Sequence, residues 1–185
     1  MKIKFIPVAI ILLLVGSTLY GVEVDGLLSP GEYSSEAVYD KGSFRLLWEI
    51  AGDRIYMAID SSAQGWVSIG FDPTRVMANS DMIFGIVPPE GEVQAVDAWS
   101  TGMFGPHPPD LNQGGKNDIL SFAGKRNAGR VVFEFSRLLD TGDKYDKILP
   151  TSGDLKIIWA YASSLQFTAK HSRAGSATIS MSTTK

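Results

Sequence analysis

Apolar and polar positions alternate through residues 43–50, with Phe44, Leu46, Trp48 and Ile50 on one side and Arg45 and Glu49 on the other. A period of two marks a strand with one buried face. Ala51-Gly52-Asp53 forms a compact turn, and residues 54–60 resume the pattern with Ile55, Met57 and Ile59 on one face. Together the two runs predict a hairpin. Further apolar runs of strand length lie at 65–71, 81–87, 92–99, 118–123, 130–135, 155–162 and 175–181, and nearly every gap holds Gly, Pro, Asn or Asp. Residues 28–33 read as a turn-rich leading segment, and only 135–139 hints at a helical turn. Many short strands without a long helical period favour a β-sandwich or barrel. The longest irregular stretch is 101–116, rich in Pro and Gly, and loops of that length are often functional.

The start of the chain follows a different pattern. Lys2 and Lys4 precede an apolar run through Val15, then Gly16, Ser17 and Thr18. This is the build of a secretory signal peptide over residues 1–21, leaving 22–185 as one folded domain exported to the periplasm or the exterior. Leu19 sits where a small residue is preferred at such a cut. The uncharged stretch 5–22 is near bilayer-spanning length, so an uncleaved anchor stays open. Losing Lys2 and Lys4 takes the formal charge from −3 to −5. That acidic balance argues against nucleic-acid binding. The chain has no cysteine, which excludes a lipoprotein anchor, disulfides, zinc-thiolate and iron–sulfur sites, and a Cys-x-x-Cys-His haem attachment.

Gly65-Trp66-Val67-Ser68-Ile69-Gly70-Phe71, followed by Met77-Ala78-Asn79-Ser80-Asp81, resembles a DOMON domain. The likeness continues through Val96-Asp97, the segments 137–143 and 158–162, and the stretch 171–175 that leads into the last strand. It thus runs from the Phe44 strand to Met181. The resemblance implies an all-β fold, a two-sheet antiparallel β-sandwich of immunoglobulin-like architecture. It also implies one of two occupants, a non-covalent haem b or a sugar-like ligand. In the haem-binding members the axial ligands correspond by motif position to Met77 and His171. Ala78-Asn79 departs from the commonest pattern, in which a Gly often precedes the Ser-Asp.

Thioether and imidazole together can fill both axial positions of a haem iron, which favours electron transfer. Met82 rivals Met77 because it adjoins the same Ser80-Asp81 pair, but it begins an apolar strand and is expected to pack inward. His107, in the Pro-rich loop, is an alternative iron ligand. Trp99 and Phe104 flank that loop as pocket candidates, whereas Trp66 and Trp159 lie within apolar strands and read as core. Lys170 and Arg173 bracket His171 and can meet haem propionates. Under this reading the partners are a redox protein or a small electron carrier, with no catalytic constellation. The alternative is a carbohydrate-binding module without haem, with Trp99 stacking on sugar faces and Asp97, Asn112 or Asp118 accepting hydroxyl hydrogen bonds. The acids Asp140, Asp143 and Asp146 do not match an EF-hand and read as a turn.

Overall fold

The computed structural model describes residues 21–183. The expected signal segment, apart from Gly21, lies outside the described residues. Ten strands form two five-stranded antiparallel sheets. The first runs β1 (Ser35–Tyr39), β2 (Phe44–Ala51), β3 (Arg54–Ser61), β8 (Arg130–Leu138) and β7 (Ser121–Asn127) in spatial order. The second runs β10 (Arg173–Met181), β9 (Gly153–Tyr161), β4 (Trp66–Phe71), β5 (Asp81–Ile86) and β6 (Gln94–Trp99). This is the expected sandwich. The hairpin read from 43–60 is β2–β3, closed over Gly52 and Asp53.

Two expectations change. Residues 135–138 are not helical, because β8 pairs with β3 from Val131 to Leu138, Met57 facing Phe135 and Arg54 facing Leu138. Strand β1 follows the turn-rich leading segment; it is a short edge strand whose exposed Glu36 and Val38 hide the usual apolar signal. Short edge strands are one way a sheet avoids pairing with other chains.

The core fills the space between the sheets. Phe44, Leu46, Ile55, Met57, Ile59, Ile69, Phe71, Ile83, Phe133 and Phe135 are fully buried there. Burying each such side chain contributes about 1.5–3 kcal/mol. Gly85 lets the sheets approach at one point, since a Cβ on it would lie 2.2 Å from the Phe133 ring. The outer face of the first sheet is tied to the N-terminal segment by Glu134, which accepts hydrogen bonds from Tyr33 Oη (2.7 Å) and the backbone N–H groups of Asp25 (3.1 Å) and Gly26 (2.6 Å). The outer face of the second sheet carries a cavity instead.

Candidate functional site: an apolar cavity and a buried acid knot

Alternation along the second sheet sends every other side chain outward. Trp66, Ser68 and Gly70 of β4, Met82 and Phe84 of β5, Ile158 and Ala160 of β9, and Ala174 and Ser176 of β10 form the floor of a cavity of about 780 Å³. That lies within the range of about 300–1,000 Å³ common for small-molecule sites. Most of the floor is small or apolar, and among the described residues no carboxylate lines it.

The walls come from loops at opposite ends of the strands. Phe71, Asp81 and Trp99 share one end of the register, and Val67, Tyr161 and Arg173 share the other. At the first end, the β4–β5 loop contributes Val76 and Met77, and the loop after β6 contributes Phe104 and His107. The backbone joins these two loops: Asn79 N–H donates to Ser100 C=O and Ser100 N–H to Ser80 C=O, each at 2.9 Å. From the other end, the β9–β10 loop folds over with Phe167, Thr168, Ala169, Lys170 and His171. Gly65 admits this loop, because its backbone passes so close to Ser164 that a Cβ would overlap the carbonyl oxygen. Met77 and His171 therefore line one cavity from opposite ends.

Met77 sits on a tight turn in which Val76 and Asn79 both have positive φ, 55° and 56°. Asparagine tolerates that region better than most residues, which suits Asn79 to this turn. A β-branched Val76 at such a φ is strained, and strain of this kind gathers at ligand clamps.

The sequence candidates separate clearly. Met77, Phe104, Lys170 and His171 line the cavity, Phe104 being 81% exposed at its mouth. Met82 is buried, but it faces the cavity and not the inter-sheet core, because its neighbour Asp81 takes the inward position. Trp66 is likewise a floor residue, edge-on to Phe84. Trp159 packs between the sheets on Phe44 and Tyr39 and touches the cavity beside Gly175. Trp99 and Arg173 are not among the lining residues. Ala98 packs with the cavity-side residues, so Trp99, one step along, turns to Tyr145 and Lys147. Arg173 is largely exposed, with Nε 4.0 Å from an Asp40 carboxylate oxygen.

A second constellation was not legible in the sequence. Between the sheets, at the Met77 end, Arg137 of β8 is fully buried and reaches Asp81 through Nη1 at 2.6 Å. Its Nη2 donates to Lys147 C=O at 3.0 Å and its Nε to Leu138 C=O at 3.1 Å. Asp97 and Asp146 bring oxygens within 4.8 Å of those of Asp81, and Asp110 is buried as well. One arginine faces several acids, and one oxygen each of Asp81, Asp97 and Asp146 has no hydrogen-bond partner. Burial, reinforced by the Asp146 charge, pushes Asp97 up to about 8 and Asp110 up to about 7. Burial raises Asp81 only to about 6, because Arg137 opposes it. Crowding of this kind favours the protonated form of its carboxyl groups. Of the acids read as a turn, only Asp146 joins the triad; Asp140 and Asp143 accept from the backbone N–H groups of Gly142 and Tyr145.

Comparison with known proteins agrees with this architecture. The sequence is 32% identical over 135 residues to DBH-like monooxygenase protein 1 of Mus musculus, covering 72% of this chain and 21% of that protein. The Homo sapiens protein of the same name is 28% identical over 151 residues, covering 81% and 23%. The chain thus spans about a fifth of the length of these curated relatives. In fold it is similar to the cytochrome domain of Myriococcum thermophilum cellobiose dehydrogenase, with a TM-score of 0.54 at 13% identity, covering 80% of this chain and 82% of that one. The family profile of the DOMON domain matches residues 40–162, ending before the His171 loop. With that match over most of both sheets, the chain belongs to the DOMON domain family.

Proposed function

We propose that this DOMON domain binds haem b without a covalent link and passes single electrons between redox partners outside the cytoplasm. The observation that carries the reading is the convergence of Met77 and His171 on one apolar cavity from opposite ends of the second sheet. The cavity suits a flat apolar ring. Its floor is kept low by Gly70, Ser68, Ala160 and Ser176, and aromatic rings (Phe84, Phe167 and Trp66) border it. Haem b held there would supply a one-electron couple, and filling both axial positions favours electron transfer over oxygen chemistry.

This chain's own residues do the rest. Lys170 places a cation on the wall for a carboxylate of the ligand. The apolar floor keeps water from the centre, which raises a reduction potential together with a thioether donor. Exposed Phe104 and Val76 at the mouth give a partner an apolar foothold, and such electron-transfer encounters usually bury little surface. The export expected from residues 1–21 puts the domain in an extracytoplasmic compartment. Among the described residues no helix is long and apolar enough to cross a membrane. The role is that of a relay and not of a catalyst. The monooxygenase named for the curated relatives belongs to proteins of which the matched part of this chain spans about a fifth.

The carbohydrate alternative draws less support. Trp99, its stacking platform, is packed on Tyr145, and Asp97 is engaged with the backbone of Asp118 at 2.8 Å.

The test is a haem titration of the exported protein. A sharp Soret band that shifts on reduction is expected, with a thioether-to-iron band that Met77→Ala removes and with weak, altered binding in His171→Ala. A colourless protein that takes up no haem would overturn the reading, as would unchanged spectra in both variants.

A further inference from the structure

His107 has no role in the assignment above, yet its surroundings single it out. It is half-buried in the cavity wall, with its ring 6.1 Å from that of Phe84 and the two planes 30° apart. Its Nδ1 is buried and has no hydrogen-bond partner. Leaving a buried polar atom unsatisfied is costly, and such atoms in native proteins call for an explanation. The strand register adds a direction. His107 and Met77 stand on two loops stitched together through Asn79, Ser80 and Ser100, at the strand end opposite the His171 loop. Desolvation, and then the nearby His171, lowers the proton affinity of His107.

We propose that His107 is a second nitrogen donor on the Met77 side of the cavity, able to take the axial position opposite His171 in place of Met77. The proposal rests on the haem reading and deepens it. One wall would then offer two unlike donors, a soft thioether that favours reduced iron and a harder imidazole that favours oxidised iron. The domain's potential would depend on which of them is engaged.

The experiment compares the haem-loaded wild type with Met77→Ala, His107→Ala and the double variant, by absorption and electron paramagnetic resonance of the ferric form. Met77→Ala is expected to stay six-coordinate and low-spin, with the spectrum of two imidazoles. The double variant is expected to become high-spin and to return to low-spin when free imidazole is added. The imidazole arm, together with haem-free melting of each variant, separates a lost donor from a lost fold. A Met77→Ala protein that is already high-spin overturns the proposal, and so does a double variant that remains low-spin. Failure of the haem reading shows itself earlier, as a wild type without a Soret band, and removes this proposal with it.

Discussion

Neighbouring residues at the start of β5 enter two unlike regions. Met82 turns outward to the floor of the apolar cavity, and Asp81 turns inward to the buried knot with Arg137. The cavity is lined without carboxylates and is walled by loops from both ends of the sheet. The knot crowds acids around a single guanidinium and ties the second sheet to β8 of the first. One region has room for a ligand; the other fastens the sandwich at the end where Met77 is presented. Binding and stability should therefore respond to different substitutions.

The largest expected effect tests the knot. Arg137→Ala leaves Asp81 buried without its partner, and breaking a buried pair on one side costs roughly 3–5 kcal/mol. Urea unfolding should show that loss, and adding Asp81→Asn should recover part of it. A loss below about 1 kcal/mol, the value of an exposed pair, would mean that the knot does not hold the sheets together.

Next comes the cavity. Ala160→Trp puts a large ring on the floor where β9 faces the ligand space. Haem affinity should fall at least about tenfold, equivalent to roughly 1.4 kcal/mol. Stability should fall far less than in Arg137→Ala, because β9 presents Ala160 to the cavity. Equal damage to binding and folding would remove the distinction between the two regions.

This division also explains what could be read beforehand. The sandwich was legible because period-two alternation reports burial directly; among the cavity residues, Met77 and His171 follow from motif position, Phe104 from flanking the Pro-rich loop and Lys170 from its place beside His171. Nearness to the loop points Trp99 into the pocket, but strand phase overrides nearness: Ala98 takes the cavity side and Trp99 the other. Met82 reads as inward because an apolar run cannot show its own phase when both faces of the strand are buried, as they are throughout β5. The knot was hidden for another reason. Asp81, Asp97, Arg137 and Asp146 come from three strands and a loop, and only the β3–β8 and β4–β5–β6 registers bring them together. Its faint signal was an Asp or Arg inside runs that otherwise read as buried.

A smaller effect concerns pH. The folded state holds Asp97 near 8 against an ordinary value of about 3.9, so the native protein binds this proton more tightly than the unfolded chain does. The resulting stabilisation is complete below about 4 and is lost as pH rises towards 8. In chelator, the melting temperature should fall from pH 5 to pH 8.5, and Asp97→Asn should flatten the slope. An unchanged slope in Asp97→Asn would show that the knot's charge is balanced in some other way.

The smallest effect separates the two cations beside His171. Lys170 lines the cavity, so Lys170→Ala should weaken haem binding severalfold, more at low salt than at high. Arg173 has a side chain 67% exposed and stands 4.0 Å from an Asp40 oxygen, a loose surface pairing. Arg173→Ala should therefore change stability by less than about 0.5 kcal/mol and haem affinity by less than about twofold. Side-by-side titrations at low and high salt decide the matter. If both variants lose the same affinity with the same salt dependence, the mouth acts through its summed positive charge, and the boundary drawn between lining residues and their neighbours has no energetic meaning there.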